Sequence, residues 1–293
     1  MRGTPPVDDI PHRKGPRVST WLITGCSTGL GRALAEAVLA RGENAVVTAR
    51  SADGVRDLAD AHPDTALALS LDVTDRGSIP AAVAAAEERF GGVDVLVNNA
   101  GYGYRAAVEE GEPEEIDRLF ATNVHGPVAL IQAVLPGMRA RRSGAIVNVS
   151  SIGARICPPG SGYYSATKAA LEGITGSLRR EVGPLGITAF AVEPGGFRTD
   201  FAGRSLRQAA TPIDDYADTA GKRRKEADTS HGTQAGDPAK AAEVIIAAVE
   251  AAEPPALLML GRDAIDGIRG VLRGLEADVD AWEKPGAATG FDS

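Results

Sequence analysis

Three side chains near the middle of the sequence have the types and spacing needed for acid–base chemistry. Tyr164 and Lys168 are four residues apart, so on a helix they share one face, whereas Tyr163 points about 100° away. A free tyrosine has a pKa of about 10, and a neighbouring ammonium is expected to lower that pKa toward neutral pH. Ser151 closes a predicted strand, and its hydroxyl is expected to hold a substrate oxygen beside Tyr164. A Tyr–Lys pair at this spacing is also common on ordinary amphipathic helices.

A glycine-rich segment, residues 24–31, lies between a predicted strand and a predicted helix. There Gly25 allows a tight turn, Gly29 lets the backbone approach a pyrophosphate, and Gly31 allows close packing of the helix on the strand. The N–H groups and the dipole at the helix start favour an anion. The segment predicts a dinucleotide phosphate site made by Gly25, Ser27, Thr28, Gly29, Leu30 and Gly31. A glycine-rich turn that binds nothing has the same local pattern.

The residue after the second predicted strand indicates which dinucleotide fits. An acidic side chain usually bonds the ribose hydroxyls of NAD at this place, but this sequence has Arg50 followed by Ser51. A guanidinium can bind the 2′-phosphate of NADP through two hydrogen bonds, and Ser51 adds a donor. NADP(H) is therefore the predicted cofactor, ahead of NAD(H). An ordinary surface arginine is the other interpretation of Arg50.

Polar and small residues follow the third and fourth predicted strands. Asp72 is expected either to accept a hydrogen bond from the adenine amino group or to cap the next turn. These positions lie at the carboxyl ends of strands, where open α/β sheets bind ligands. The candidate cofactor contacts here are Asp72, Val73, Asn99, Ala100 and Gly101.

Short apolar runs alternate with longer amphipathic stretches along the chain. The predicted strands span residues 18–24, 45–49, 66–71, 93–97, 145–149, 187–192 and 256–260. The predicted helices span residues 30–41, 78–90, 114–141 (two helices divided near Gly126), 163–182, 238–250 and 262–282. Strands that are apolar on both faces are typical of a parallel sheet covered by helices. The predicted fold is α/β, a three-layer Rossmann-type doubly wound parallel sheet of about seven strands.

Composition restricts the class of protein and its partners. The chain has 293 residues, 43% of them hydrophobic and 24% charged, as in globular proteins. Its net charge of −8 disfavours nucleic acid as a partner. Cys26 and Cys157 have no metal-ligand spacing, so no metal is predicted. No apolar run approaches the length of a membrane span, and the first 17 residues lack an apolar signal core; the cytoplasm is expected, with no membrane partner.

The predicted organisation is a flexible tail at residues 1–17 followed by a single domain at 18–293. Residues 198–236 break the alternation and predict a substrate lid. The lid contains a basic run at 222–225, for which a solvated helix face is favoured over a phosphate or acidic-partner site. Residues 262–282 are predicted to pack as a final helix.

Several motifs together resemble the short-chain dehydrogenase/reductase family, in its compact single-domain branch, over roughly residues 19–260. Ser151 lies 13 residues before Tyr164, a usual separation in that family. The motifs that carry the resemblance are the glycine loop at 24–31, Asn-Asn-Ala-Gly at 98–101, Asn123, Ser151, the Tyr164–Lys168 pair and Pro194-Gly195 followed by Thr199.

The resemblance implies an oxidoreductase that interconverts a ketone or aldehyde and an alcohol by hydride transfer with NADP(H), without a metal. It implies that Tyr164 transfers the proton, and that Lys168 lowers its pKa and holds the nicotinamide ribose. It implies that Ser151 orients the substrate oxygen and that Asn123 helps to hold a water linked to Lys168. Residues expected near the nicotinamide are Pro194, Gly195, Phe197 and Thr199.

Two other functions stay open: a non-catalytic NADP-binding regulator, and an epimerase or dehydratase, whose relatives have a different glycine spacing and a larger C-terminal domain. The expected substrate is a small carbonyl or alcohol compound, and apolar lid residues such as Phe201 and Leu206 favour a hydrophobic one. The resemblance also implies a homodimer or homotetramer formed through the helices at 127–141 and 163–182. The tail after Leu260 favours the dimer.

Overall fold

The computed structural model describes residues 18–203, 205–225 and 232–291. The strands are β1 (Thr20–Ile23), β2 (Asn44–Ala49), β3 (Ala66–Ser70), β4 (Val95–Asn98), β5 (Gly103–Arg105), β6 (Gly144–Val149), β7 (Ile187–Pro194), β8 (Leu206–Gln208) and β9 (Leu257–Leu260). The helices are α1 (Gly29–Ala40), α2 (Arg56–Ala61), α3 (Ser78–Phe90), α4 (Pro113–Phe120), α5 (Gly126–Arg141), α6 (Gly153–Ile156), α7 (Gly162–Val182), α8 (Pro238–Glu250) and α9 (Arg262–Ala287). The predicted tail at 1–17 lies outside the described residues.

Seven parallel strands form the central sheet in the order β3–β2–β1–β4–β6–β7–β9. The chain runs outward from β1 to β3, then crosses to β4 and continues to β9, so the strand order reverses between β1 and β4. Leu22 of β1 pairs with Val46 on one side and Leu96 on the other. The predicted fold class is confirmed, and the reversal places a ligand crevice at the carboxyl ends of β1 and β4.

The sheet separates two apolar cores. Successive side chains of a strand point to opposite faces, so Trp21 and Ile23 enter one core and Leu22 enters the other. The first core is closed by α1 and α8, and the second by α3, α5 and α7. Burial on both faces explains why the strands are apolar at nearly every position.

The predicted division of residues 114–141 is confirmed. The segment contains α4, one turn of π-helix at Ala121–His125, and then α5, which begins at Gly126. A methyl group on Gly126 would lie 2.7 Å from the Val73 carbonyl oxygen, so the close approach of α5 to the loop after β3 requires glycine. Pro127 is tolerated because it lies in the first turn of α5.

The sequence was expected to contain no apolar run long enough to span a membrane, but one helical segment reaches that length. Pro113–Arg141 is long and apolar enough by composition to cross a membrane. Leu130 and Met138 are nevertheless fully buried against the sheet. The segment is apolar because it covers the sheet of a Rossmann-type fold.

Four short elements were not predicted: α2, α6, β5 and β8. Each has six residues or fewer, too few for a hydrophobic period to be visible. β5 and β8 pair in parallel as a separate two-stranded sheet, so the predicted lid contains regular structure instead of forming a plain loop. The ends of the predicted strands differ from the observed ends by at most two residues.

The basic run at 222–225 differs from its prediction, whereas the predicted final helix is present as α9. Arg224, in the basic run at 222–225, is only 8% exposed and is bonded to Glu110, so this run is not simply a solvated helix face. α9 packs on the body through its first turns, where Ile268 is buried, but Leu272 and Leu275 are more than half exposed. The final helix therefore packs over part of its length only.

Candidate active site

The glycine loop has the backbone that its predicted role requires. Gly25 and Gly29 have φ of 72° and 63°, in the left-handed region that favours glycine. A methyl group on Gly31 would lie 2.3 Å from Asn99 Nδ2, so α1 approaches β4 closely. Thr28 precedes α1 without capping it through its side chain, and the first turn has no acidic residue. The first N–H groups of α1 are thus available to an anion.

A set of short hydrogen bonds fixes this loop to the end of β4. The Thr24 hydroxyl oxygen accepts from the backbone N–H groups of Asn99 and Ala100 at 3.0 and 2.9 Å. Asn99 Nδ2 donates to the carbonyl oxygens of Thr24 and Gly25 at 2.8 and 3.2 Å. The predicted contact residues of the two strand ends therefore form one unit. The sequence analysis identified Asn99 but missed the part played by Thr24.

The residues after β2 lie next to the glycine loop. Arg50 is exposed at the strand end, and Ser51 precedes a 3₁₀ turn at Ala52–Gly54. A methyl group on Gly54 would lie 3.4 Å from Ser27 Cβ, so this turn adjoins the loop. From this position the Arg50 guanidinium could contact a phosphate on the ribose of a dinucleotide bound at the loop.

Asp72 makes the turn cap that was one of its two predicted roles. Its Oδ1 accepts hydrogen bonds from the Thr74 backbone N–H at 2.9 Å and from the Thr74 hydroxyl at 2.7 Å. Asp72 thus caps the turn after β3. Its neighbour Val73 is buried against Gly126.

Ser151 and Tyr164 meet just beyond the end of β6. A methyl group on Gly153 would lie 3.3 Å from Ser151 Oγ and 3.4 Å from Tyr164 Cε1, and the Ser151 hydroxyl is close enough to the phenol to influence its pKa. Tyr164 is 7% exposed, and its ring lies 5.8 Å from that of Phe201 in the predicted lid. The Tyr163 hydroxyl instead bonds to Val108, so the two tyrosines do diverge as predicted.

The ionisation of Tyr164 and Lys168 differs from the expectation. Burial raises the pKa of Tyr164, although the hydrogen bond from Ser151 and the positive charge of Arg105 act to lower it. Lys168 Nζ donates to the Val149 carbonyl oxygen at 2.7 Å, and burial lowers the pKa of this lysine to about 8. The net shift of the Tyr164 pKa is therefore upward and not toward neutral pH as expected, because desolvation of the phenolate dominates.

Asn123 is held by the π-helical turn between α4 and α5. Its Nδ2 donates to the Tyr102 carbonyl at 3.0 Å and to Thr167 Oγ1 at 3.1 Å. A methyl group on Gly101 would lie 3.1 Å from Asn123 Oδ1 and 3.5 Å from Lys168 Nζ. Asn123 and Lys168 therefore both approach Gly101, just after β4. Single π-helical turns, such as the one that holds Asn123, are frequent at functional sites.

The loop after β7 reaches across to the glycine loop. A methyl group on Gly29 would lie 3.2 Å from Thr199 Cβ. Gly195 N–H donates to the Leu260 carbonyl at 2.9 Å, and Gly196 N–H donates to Asp263 Oδ2 at 2.7 Å. The loop is thus anchored to β9 and to the first turn of α9. Nearby residues of this motif are Pro194, which ends β7, and Phe197, which bridges to Gly236.

Comparison with known proteins decides the family. A family model described as short chain dehydrogenase matches residues 19–210. The chain belongs to the short-chain dehydrogenase/reductase family. It is 37% identical over 265 residues to oxidoreductase BOA17 of Botryotinia fuckeliana, covering 90% of this chain and 96% of that protein.

Solved structures agree with this assignment. A short-chain dehydrogenase from Streptomyces avermitilis has a TM-score of 0.88 and 43% identity, covering 94% of this dehydrogenase/reductase and all of the other chain. A 3-ketoacyl-(acyl-carrier-protein) reductase from Brucella melitensis was solved with NADH (TM-score 0.67, 29% identity, 83% and 96% of the chains). An alcohol dehydrogenase from Thermococcus sibiricus was solved with 5-hydroxy-NADP (TM-score 0.69, 25% identity, 83% and 96%).

This short-chain dehydrogenase/reductase also has a buried acidic network behind Lys168 that the sequence analysis missed. Glu172 Oε1 accepts from the Ser150 hydroxyl at 2.6 Å, and Arg155 joins Glu172 to Glu193 at 2.9 and 2.8 Å. Burial raises the pKa of Glu172 to about 7, and the nearby Glu193 carboxyl acts in the same direction. The four-residue spacing from Lys168 to Glu172 was the available signal, since such residues share a helix face.

Proposed function

We propose that this short-chain dehydrogenase/reductase interconverts a ketone or aldehyde and an alcohol with NADP(H), with Tyr164 as the proton donor. The meeting of the Ser151 and Tyr164 hydroxyl groups beyond β6 carries this proposal. Two adjacent hydroxyl groups can both contact one substrate oxygen, one to orient it and the other to transfer its proton. Asn123 and Lys168 approach Gly101 and complete the proposed group of catalytic residues.

The residues of the crevice fit a dinucleotide. The uncapped start of α1 and the positive φ of Gly29 suit the pyrophosphate, and the crevice lies where the strand order reverses. Lys168 would hold the nicotinamide ribose, and the loop around Thr199 would lie beside the nicotinamide. When bound, this cofactor supplies or accepts the hydride.

The state of Tyr164 favours the reductive direction. Because burial raises its pKa, the phenol keeps its proton at neutral pH and can donate it to an alkoxide that forms beside Ser151. The oxidative direction needs the phenolate and is expected to be favoured by higher pH.

The preference for NADP(H) rests on Arg50. Its exposed guanidinium lies at the end of β2, in the place where an acid would select NAD(H). A guanidinium attracts the 2′-phosphate, whereas a carboxylate would repel it.

A turnover screen with Tyr164→Phe tests the proposed function. A panel of aldehydes and ketones is incubated with NADPH and the wild-type protein, and NADPH consumption is followed. The phenylalanine variant is expected to lose about two to four orders of magnitude in kcat while binding NADPH normally. Tyr163→Phe, one residue away and bonded to Val108, is the matched control. Full activity of Tyr164→Phe would end the proton-donor role.

We also propose a homodimer formed through α5 and α7. The outer face of α7 is exposed at Ala169, Gly173 and Gly176, and it borders a surface groove of about 410 Å³. Small residues on this face allow close approach of a second helix. Light scattering at micromolar concentration is expected to give the mass of a dimer; a monomer would contradict the proposal.

A further inference from the structure

Arg105 introduces a positive charge beside the proposed proton donor. It is the last residue of β5, four positions after Gly101, and its carbonyl oxygen accepts from Ala209 of the lid at 2.9 Å. Its charge acts on the Tyr164 phenol and is one of the two influences that lower the pKa of that group. Arg105 Nη1 also donates to Ser161, the residue just before α7, so the guanidinium lies near the beginning of the helix that carries Tyr164.

Among the described residues, no carboxylate is bonded to the Arg105 guanidinium. Its Nη1 donates to the Ser161 hydroxyl, and its buried Nε has no hydrogen-bond partner in that part of the chain. Burial accordingly lowers the pKa of Arg105. A buried charge without an opposite charge is costly, and proteins normally pair it.

Other arginines of the same region have carboxylate partners. Arg224 is bonded to Glu110 at 2.5 Å, and Arg207 to Glu115 at 2.7 Å. Two of the other three acids of this segment are engaged by the lid, Glu109 by the Tyr216 hydroxyl and Glu112 by the Ala210 N–H. In the part of the chain that the structure describes, none of the five acids between residues 109 and 115 is bonded to Arg105.

A second guanidinium acts on Arg105. The charge of Arg223 lowers the Arg105 pKa further. An anion bound by Arg105 would offset the cost of burying its guanidinium.

We propose that Arg105 binds a carboxylate group of the substrate, so that the substrate class is a carbonyl compound that carries a carboxylate. The inference rests on the proposed function, because it needs the carbonyl group to lie at Ser151 and Tyr164. Phe201, whose ring packs against Tyr164, contacts the apolar part of such a substrate. A guanidinium matches a carboxylate with two parallel hydrogen bonds, which fixes the orientation of the carbonyl.

Two matched substrates test this inference: 4-carboxybenzaldehyde and its methyl ester, methyl 4-formylbenzoate. The readout is the ratio of kcat/KM for the acid to kcat/KM for the ester, measured with NADPH. The wild-type ratio is expected to exceed about ten, and Arg105→Met to lower it by about ten- to a hundredfold, as for a lost charge-assisted hydrogen bond. Arg105→Lys keeps the positive charge but lacks the two parallel N–H donors of a guanidinium, so it is expected to give an intermediate ratio. Arg273→Met, on the exposed part of α9, is the control and should leave the ratio unchanged.

Binding of terephthalate to the NADPH complex gives a readout that needs no turnover. Calorimetry is expected to detect terephthalate with the wild type and to find at least about tenfold weaker binding with Arg105→Met. A wild-type ratio near one, or a ratio that Arg105→Met leaves unchanged, would overturn the inference. If Arg105→Met does not fold, the wild-type ratio, Arg105→Lys and terephthalate binding decide. Turnover of the ester without a preference for the acid would overturn only this inference, whereas no turnover of any carbonyl compound would defeat the proposed function.

Discussion

Two regions on opposite sides of the crevice are held in place by different forces. The strand-end region, residues 24–31 and 98–101, is fixed by left-handed glycines and by neutral hydrogen bonds such as those between Thr24 and Asn99. The lid, residues 198–236, is fixed through its described residues to residues 109–115 by ion pairs and charged hydrogen bonds, including that between Arg224 and Glu110.

This difference implies that the strand-end region tolerates few substitutions, whereas the side chains of the lid can be exchanged more freely. Bonds between adjacent parallel strands follow from the register of the sheet, so a change in the strand-end region disturbs the fold. The charged side chains of the lid lie outside the sheet and can be exchanged without changing its register. Substrate selection can therefore change while the dinucleotide crevice stays the same, and Arg105, at the edge of the lid, belongs to the adjustable part.

The largest expected effect is that of Gly31→Ala in the strand-end region. The new methyl group would lie 2.3 Å from Asn99 Nδ2 and 2.6 Å from the Gly25 carbonyl oxygen, so the bonds that join α1 to β4 must break. The free energy of unfolding is expected to fall by about 3 kcal/mol, with loss of cofactor binding. Urea denaturation and NADPH titration measure both. Gly274→Ala, on exposed α9 with nothing within 4 Å, is the control and should stabilise slightly.

Glu110→Gln is expected to act on the lid alone. Glu110 is fully buried with Arg224, and hydrogen bonds from that guanidinium, Ile213 and Ala107 outweigh burial and hold its pKa below the usual value. Removing the charge is expected to lower the free energy of local opening by about 2 kcal/mol, with faster hydrogen exchange at residues 205–225 and unchanged exchange in β1.

Glu114→Gln, at an exposed position of α4, is the control for that variant and should leave exchange unchanged. Because the folded pKa of Glu110 is depressed, its contribution is present above the pKa of the unfolded chain and is lost as pH falls through the folded value. Equal exchange in β1 and the lid of Glu110→Gln would contradict the separation of the two regions.

Arg50→Asp is expected to change cofactor preference without changing the fold. The carboxylate repels a 2′-phosphate and accepts hydrogen bonds from ribose hydroxyls, so NADPH should bind about tenfold more weakly and NADH more tightly. The measurement is the dissociation constant of NADPH and of NADH for the wild type and for Arg50→Asp. Arg273→Asp, which makes the same change of charge on exposed α9, is the control. A wild type that binds NADPH and NADH equally well would refute the role of Arg50.

The smallest expected effect is the pH dependence of reduction. Burial lowers the pKa of Lys168 to about 8, so this lysine loses its ammonium charge at a lower pH than an ordinary lysine. The proposed role of Lys168 in holding the ribose needs the ammonium form. Therefore kcat/KM for carbonyl reduction is expected to fall about twofold by a pH of about 8, and further at higher pH. Lys168→Arg keeps the charge and should move the fall to higher pH. A rate that stays constant up to pH of about 10 would exclude this role for Lys168.

The sequence was most informative where the deciding interactions are short-range. The helices at 78–90 and 238–250 match α3 and α8 at both ends, and Gly25 of the loop has the left-handed conformation that its predicted tight turn allows. The partners that were missed are far apart in the chain. Gly196 and Asp263 are separated by 67 positions and Arg224 and Glu110 by 114, so no local spacing could reveal them.

The sequence by itself determined the order of strands and helices and which residues stand at strand ends, because hydrophobic periods and glycine turns act over a few residues. Only the tertiary structure decided the charge state of Tyr164 and the pairing of the arginines around the lid. Both depend on how completely distant segments exclude water, and water exclusion is a property of the assembled sheet, helices and lid.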